Sequence, residues 1–155
     1  MIQRIADMLK RREDEGFTLI ELMVVVLIIG ILIAIAIPTF LGARKRAQDR
    51  ATQSDLRNAL TNEQVAYTDN QAYDPVAANM KVLDPSLDWG GKITIVVGDA
   101  SVGTNDMVCV SEASKSGTTF SLAHIALGPV TGYYYGKVAC PAATEANFSG
   151  LGSAW

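Results

Sequence analysis

The residue types that most often carry out chemistry are few and scattered in this chain of 155 residues. There is one histidine, His124, inside an apolar run, and there are two cysteines, Cys109 and Cys140. This set lacks the ligand spacing of a zinc site, and the sequence contains neither a glycine-rich phosphate loop nor a nucleophile elbow. No EF-hand calcium loop surrounds the four aspartates of the C-terminal half, which are Asp84, Asp88, Asp99 and Asp106. The residues therefore predict no catalytic constellation, metal site or cofactor, and we expect a protein that is not an enzyme.

One carboxylate is unusual in its position, because Glu21 lies at the start of a long apolar segment. From Leu22 to Ala43 the sequence contains no charged residue. A helix over this range would be about 33 Å long, and the hydrocarbon core of a bilayer is about 30 Å thick, so the segment can cross a membrane. A carboxylate costs about 2.5–3.5 kcal/mol at the centre of a bilayer and less near its edge. A plain membrane anchor therefore explains the span but not Glu21.

A cleaved secretory signal is an alternative interpretation of the apolar segment. Such signals have a net-positive start, a short apolar core and a cleavage site with small residues, and Ala34-Ile35-Ala36 fits such a site. The first 16 residues, however, hold four basic and four acidic side chains, whose charges cancel. The apolar run is also long, and a helical pattern continues beyond it. Both features argue against removal of the run as a signal.

The stretch GFTLIEL, residues 16–22, closely resembles the signal of type IV prepilins. The resemblance implies that a membrane-embedded prepilin peptidase cuts after Gly16 and that the new terminal residue, Phe17, is N-methylated. Glu21 then takes the fifth mature position, where the family has a glutamate. It further implies that Glu21 of one subunit meets the Phe17 amine of its neighbour in a filament and sets the register of assembly.

Two residues that disfavour helix, Gly30 and Pro38, interrupt the apolar run. Pro38 has no amide hydrogen, and its ring clashes with the carbonyl of Ala34 in a regular helix. We therefore expect a kink or local melting between Gly30 and Pro38. Both match the helix-breaking glycine and proline of pilins, and this resemblance implies that the segment unwinds when subunits leave the bilayer and pack.

Beyond Pro38 the pattern is that of an amphipathic helix. A stripe recurs at steps of three and four residues, and its members are Leu56, Ala59, Leu60, Glu63 and Tyr67, with Glu63 as the polar exception. The helix is predicted to end near Asp69 and Asn70, before the turn-prone Tyr73-Asp74-Pro75. The amphipathic half must pack against the rest of the chain.

The C-terminal half is rich in β-forming residues. Candidate strands cover residues 93–97, 107–110, 118–127 and 132–140, and Ser116-Gly117 is typical of a hairpin turn. Four short strands after one helix predict an α+β fold, with an antiparallel sheet resting on the amphipathic half. Trp89 and Phe120 are expected to pack between the sheet and the helix.

The two cysteines are expected to lie on separate strands. If this half of the chain is exported, an oxidising compartment favours a disulfide between Cys109 and Cys140, which would tie the last strand back. Two buried free thiols are the alternative.

These features predict four segments. They are a cleaved cytoplasmic leader (1–16), a transmembrane and polymerisation helix (17–43), the amphipathic half of that helix (44–70) and a globular region with an antiparallel sheet (71–155). The formal charge of −3 argues against a general nucleic-acid binder, so nucleic acid is an unsupported partner.

The resemblance implies a structural subunit of a type IV pilus-like filament, made in the cytoplasmic membrane and displayed at the cell surface. Its partners would be other pilin subunits, the prepilin peptidase, an inner-membrane assembly platform and an assembly ATPase. Twitching motility, adhesion, DNA uptake and secretion are all possible end uses. Two alternatives remain open, namely a pseudopilin of a type II secretion system and a membrane-tethered binding domain that does not polymerise.

Overall fold

The computed structural model describes residues 16–99 and 105–155, so the predicted leader lies outside the described residues except for Gly16. The chain divides into two compact units, and the boundary lies between Ala43 and Arg44. The elements in chain order are helix α1 (Leu19–Asn70), helix α2 (Ala77–Leu83), strands β1 (Thr94–Gly98), β2 (Met107–Ala113), β3 (Thr119–Ile125) and β4 (Gly132–Gly136), and helix α3 (Glu145–Ser149).

The described part of the first unit is the N-terminal part of α1 and the three residues before it. Its large apolar side chains are exposed along the whole segment, so this part of the helix has no core of its own. Gly30 and Pro38 are both helical, although Pro38 lies inside α1 without an amide hydrogen to donate. The expected kink or local melting between Gly30 and Pro38 stays a prediction for the assembled chain.

The second unit begins with the C-terminal part of α1, which is amphipathic as predicted. The buried residues of the helix recur at steps of three and four, and they are Thr52, Leu56, Ala59, Leu60, Glu63 and Ala66. The helix ends at Asn70, and Gln71 takes a positive φ of 55° while its amide donates to the Tyr67 carbonyl at 2.7 Å. This left-handed residue satisfies a terminal carbonyl and turns the chain out of the helix.

The strands form one antiparallel sheet in the order β1-β2-β3-β4. The predicted hairpin at Ser116-Gly117 joins β2 to β3, where Gly117 has a φ of 96° and the Ser114 amide donates to the Thr118 carbonyl at 2.8 Å. Only glycine adopts such a φ without steric cost, so the turn depends on Gly117. The α+β fold is confirmed.

Both faces of the sheet are covered, and β2 is therefore buried over six consecutive residues. One face packs on α1 through a cluster that contains Val108, Val110, Phe120 and Trp89, which confirms that Trp89 and Phe120 join sheet and helix. The opposite face packs on the C-terminal segment through a second cluster centred on Phe148. The sequence analysis did not identify this second layer.

The expectation that Cys140 lies in the last strand is wrong. Strand β4 ends at Gly136, and Cys140 follows it in irregular structure. Cys109 belongs to the cluster on the sheet face away from α1, and Cys140 packs against that cluster. The chain therefore leaves the sheet after Gly136 and crosses that face, where the two cysteines form a disulfide with a Cα–Cα distance of 5.8 Å.

The carboxyl group of Glu63 is buried where α1 meets the chain that follows it. Its side chain is 0% exposed; Oε2 accepts a hydrogen bond from the Asp74 amide at 3.2 Å, and Oε1 has no hydrogen-bond partner. Burial raises the pKa of Glu63 from 4.5 to about 8, because the charged form loses its hydration. The neutral acid is therefore the native form at pH 7.

We predict that Glu63→Gln removes a pH dependence of stability. Between pH 4.5 and about 8 the native state holds a proton that the unfolded state has lost, so the free energy of unfolding falls as pH rises through this range. Glutamine keeps the shape without this linkage, and the variant should gain about 2–5 kcal/mol relative to the parent between pH 5 and 8. Urea unfolding of the full chain in detergent, followed by tryptophan fluorescence, measures this. Asp69→Asn, the same replacement of a carboxyl group by an amide on an exposed residue of α1, is the control. Parallel pH profiles for Glu63→Gln and the parent would contradict the prediction.

Candidate processing and assembly site

The residues that precede α1 form an accessible peptide. Gly16, Phe17 and Thr18 have no regular secondary structure and are exposed, and Phe17 is 84% exposed. A Cβ added at Gly16 would meet no atom within 4 Å. Exposed and irregular chain is the kind of substrate that proteases cut, so the peptide bond between Gly16 and Phe17 is open to attack.

Thr18 and Glu21 close the first turn of α1 as a capping box. The Glu21 amide donates to Thr18 Oγ1 at 3.3 Å, and the Thr18 amide donates to Glu21 Oε2 at 2.8 Å. The Thr18 hydroxyl also donates to Glu21 Oε2 at 2.8 Å. This reciprocal pattern satisfies two amides that a helix start leaves unpaired. Sequence analysis missed the role of Thr18, although Thr-x-x-Glu before an apolar run signals a capping box.

The capping box gives Glu21 a function within the single chain. A carboxylate in the first helical turn interacts favourably with the helix dipole. The same carboxylate borders a shallow hollow of the helix surface together with Phe17, Ile20, Val24 and Val25. A negative charge in an apolar surrounding attracts a cation more strongly than it would in water. The site is therefore suited to accept an ammonium group at the edge of an apolar contact.

An uncovered apolar surface follows the site along α1. The large apolar residues from Leu19 to Leu41 are each at least 47% exposed, although aliphatic side chains normally avoid water. By length and composition α1 is apolar enough to cross a membrane.

Comparisons with known proteins agree with this arrangement. Residues 11–37 match the family model described as the prokaryotic N-terminal methylation motif. The type IV wide pilus major component PilA4 of Thermus thermophilus is 45% identical over a region that covers 40% of this chain and 47% of that protein. The type IV major pilin protein PilA of Myxococcus xanthus is 33% identical over 57% of this chain and 41% of that protein.

One further relative matches over most of its length. The type II secretion system core protein G of Escherichia coli is 30% identical over 68% of this chain and 87% of that protein. The chain belongs to the family of type IV pilins and type II secretion core G proteins. This confirms the resemblance to prepilins, and the matched motif contains the predicted processing residues Gly16, Phe17 and Glu21. The chain spans less than half the length of the two pilins, so the activity and partners of a whole pilin remain proposals for it.

The predicted site residues of this family member fall into three places. Gly16, Phe17 and Glu21 lie together at the start of α1, and Gly30 and Pro38 lie within the same helix. Cys109 and Cys140 lie in the second unit, where they form the disulfide. Among the described residues, no group of three or more His, Cys, Asp or Glu side chains is placed to hold a metal ion.

We predict that Thr18→Ala loosens the first turn of α1 while Thr18→Ser preserves it. Alanine lacks the hydroxyl that accepts from the Glu21 amide, and loss of such a cap costs about 1 kcal/mol. Hydrogen exchange at the amides of Glu21 and Leu22 should therefore accelerate about fivefold, since 1.4 kcal/mol corresponds to a factor of ten. NMR of the full chain in detergent micelles measures this. Equal exchange in the alanine and serine variants would contradict the capping role.

Proposed function

We propose that this chain is the precursor of a filament subunit, that a prepilin peptidase cuts it between Gly16 and Phe17, and that the mature protein polymerises through α1. The observation that carries the proposal is the uncovered apolar surface of α1, which begins directly after an exposed Gly16-Phe17 bond. A surface of this kind requires an apolar environment, and the cut leaves it intact. Residues 17–43 would be the buried helix, with 44–70 and 71–155 forming the part that faces outward.

Two environments can cover this surface in turn. Lipid covers it while the chain waits in the cytoplasmic membrane, because α1 is long enough to span the bilayer. Neighbouring helices cover it after assembly, and van der Waals packing between them replaces the contacts with lipid. The exchange of lipid for protein requires no new apolar surface to become exposed to water.

The cut also supplies a charge partner for Glu21. A free Phe17 amine is a cation at the positive end of the helix dipole, which disfavours it unless a carboxylate is near. Glu21 of an adjacent subunit is such a carboxylate, and its hollow is lined by apolar side chains. A pair of this kind is costly to separate in apolar surroundings, so it selects the register in which both charges are matched.

The proposed partners follow from this cycle. They are the prepilin peptidase, an inner-membrane assembly platform, an assembly ATPase and further copies of the subunit, and the product is a filament at the cell surface. Secretion is a second candidate use, because the E. coli type II secretion core G protein is matched over 87% of its length. A tethered domain that never polymerises is the alternative from another class.

The mature N-terminus is the first testable consequence. We expect mass spectrometry of sheared surface material to find a chain that begins at N-methylated Phe17. A chain that begins at Ile37 would mean that the apolar run is a cleaved signal, and an intact Met1 would mean that it is a plain anchor. Either result would contradict the proposal.

Replacement of Glu21 tests the assembly step separately from membrane insertion. We expect Glu21→Ala to lose surface filaments while the protein remains in the membrane fraction, because the apolar span is unchanged and only the partner of the Phe17 amine is lost. Asp69→Ala, which removes an exposed carboxylate elsewhere on α1, should assemble normally. Filaments in the sheared fraction and subunits in the membrane fraction are quantified by immunoblot. Normal filaments from Glu21→Ala would contradict the role of Glu21 in assembly. Absence of filaments from the parent chain as well would favour a tethered domain that does not polymerise.

A further inference from the structure

Exposed basic side chains from three separate segments lie together at the start of the second unit. Arg44, Lys45 and Arg46 are consecutive exposed residues of α1. Lys115 is exposed in the turn between β2 and β3, and Lys137 is exposed directly after β4. We call these five residues the basic cluster. The function proposed above gives them no role.

Asp49 of α1 holds the β2–β3 turn beside the start of the unit. Its Oδ1 atom accepts a hydrogen bond from the Ser114 hydroxyl at 2.7 Å and another from the Ser116 hydroxyl. These two serines flank Lys115, so its backbone lies next to Asp49, which is about 8 Å along the helix from Arg44. Arg44 and Lys115 also line the same groove, which has a volume of about 610 Å³.

The same carboxylate locates Lys45 and Lys137. The Ser116 and Ser114 hydroxyls lower the pKa of Asp49 by hydrogen bonding, and the charges of Lys137 and Lys45 lower it further. Both lysines therefore lie near Asp49. Successive residues of a helix are turned by about 100°, so the three basic residues of α1 spread over about 200° of its circumference. The basic cluster therefore surrounds this part of the helix on more than one side.

The basic cluster has an excess of positive charge. It contributes five formal positive charges, and Asp49 is the carboxylate that lies among them. The next carboxylate of the groove on α1 is Asp55, which shares a pocket of about 80 Å³ with Asp88, Lys92 and Glu112. Asp55 is about 16 Å along the helix from Arg44, and charges in physiological salt are screened over roughly 8 Å. This acidic pocket therefore does not neutralise the cluster.

Chain continuity ties the basic cluster to the end of the apolar segment. Arg44 follows Ala43 directly, so residues near Arg44 stay near this end at any angle between the two units. The headgroup layer of a bilayer is roughly 5–8 Å thick on each side. When residues 22–43 span the membrane, the long side chains of the cluster therefore reach this layer. A basic run on the proposed outer side opposes the usual positive-inside bias, which favours a local role for it.

We propose that the basic cluster binds the phosphate groups of anionic phospholipids and so holds the second unit at the membrane surface before assembly. The inference rests on the membrane stage of the proposed function. Ammonium and guanidinium groups both donate charge-assisted hydrogen bonds to phosphate oxygens. Lys115 and Lys137 join the cluster only because the fold brings them to the start of the unit. Departure from the bilayer requires these contacts to break, so the cluster retains the subunit in the membrane until it is extracted.

Lipid titration of the full chain in neutral detergent micelles tests the contact. Short-chain phosphatidylglycerol should shift the amide NMR signals of Arg44, Lys115 and Lys137 saturably. Short-chain phosphatidylcholine, which has no net charge, should bind at least tenfold more weakly. Inorganic phosphate, which the micelle does not hold at its surface, should also bind at least tenfold more weakly. Unchanged signals at Lys115 and Lys137 overturn the proposal, and equal binding of phosphatidylcholine or of free phosphate overturns the assignment to anionic lipid.

Replacement of the two lysines separates the basic cluster from the basic run of α1. Lys115→Gln and Lys137→Gln should each weaken phosphatidylglycerol binding about fivefold, which is the usual contribution of one lysine near an anionic surface. Together they should weaken it at least tenfold. Lys81→Gln, the same change on an exposed residue of α2, is the control and should bind as the parent does. Parental affinity in the double variant overturns the proposal.

This readout requires no filament, so the two proposals can fail separately. If the double variant binds lipid as the parent does, while the parent forms filaments and Glu21→Ala abolishes them, only this inference fails. If the parent binds phosphatidylglycerol as expected but forms no filaments, the proposed assembly fails and the lipid contact stands.

Discussion

The apolar surface of α1 between Leu19 and Leu41 is the constraint on which the other features of this protein depend. Its side chains are exposed in the single chain, and aliphatic surface of this extent is unstable in water. The segment carries no charge after Glu21 and ends at the basic run Arg44-Lys45-Arg46, so polar groups border it at both ends. Lipid and identical helices both satisfy the constraint, and in the proposed function the chain moves from the first to the second.

Several carboxyl groups fix the position of one part of the chain relative to another, which burial of apolar side chains does not specify. Glu21 closes the capping box at the start of α1 and is the proposed partner of a neighbouring amine. Glu63 is buried under the chain that follows α1, where its raised pKa keeps it neutral near pH 7. Asp49 accepts from the Ser114 hydroxyl at 2.7 Å and from the Ser116 hydroxyl, and so ties α1 to the β2–β3 hairpin. Apolar contacts supply most of the stability, and these groups select one arrangement among many.

Much of the fold was predictable because its signals are local. The spacing of Leu56, Ala59 and Leu60 indicated the buried face of α1, and Ser116-Gly117 indicated the hairpin, since both patterns act over a few residues. The short helix α2 was missed because seven residues carry too little periodicity to stand out. The continuous burial of β2 was also not foreseen, because alternation disappears when both faces of a strand are covered. The position of Cys140 was misjudged because its place depends on a second layer, which is formed by residues distant in sequence.

The sequence by itself determined the apolar segment, the residues at its start, the amphipathic half of α1 and the α+β class, because each follows from residue type and spacing within one element. Only the tertiary structure decided that Glu63 and Glu112 are buried with an oxygen unpaired, that the sheet is covered on both faces, and that Asp55, Asp88 and Glu112 share a pocket. These properties depend on which elements meet in space. Residue type does not tell whether a carboxyl group lies on the surface or in the core. Its environment sets the free-energy cost of desolvation and its protonation state.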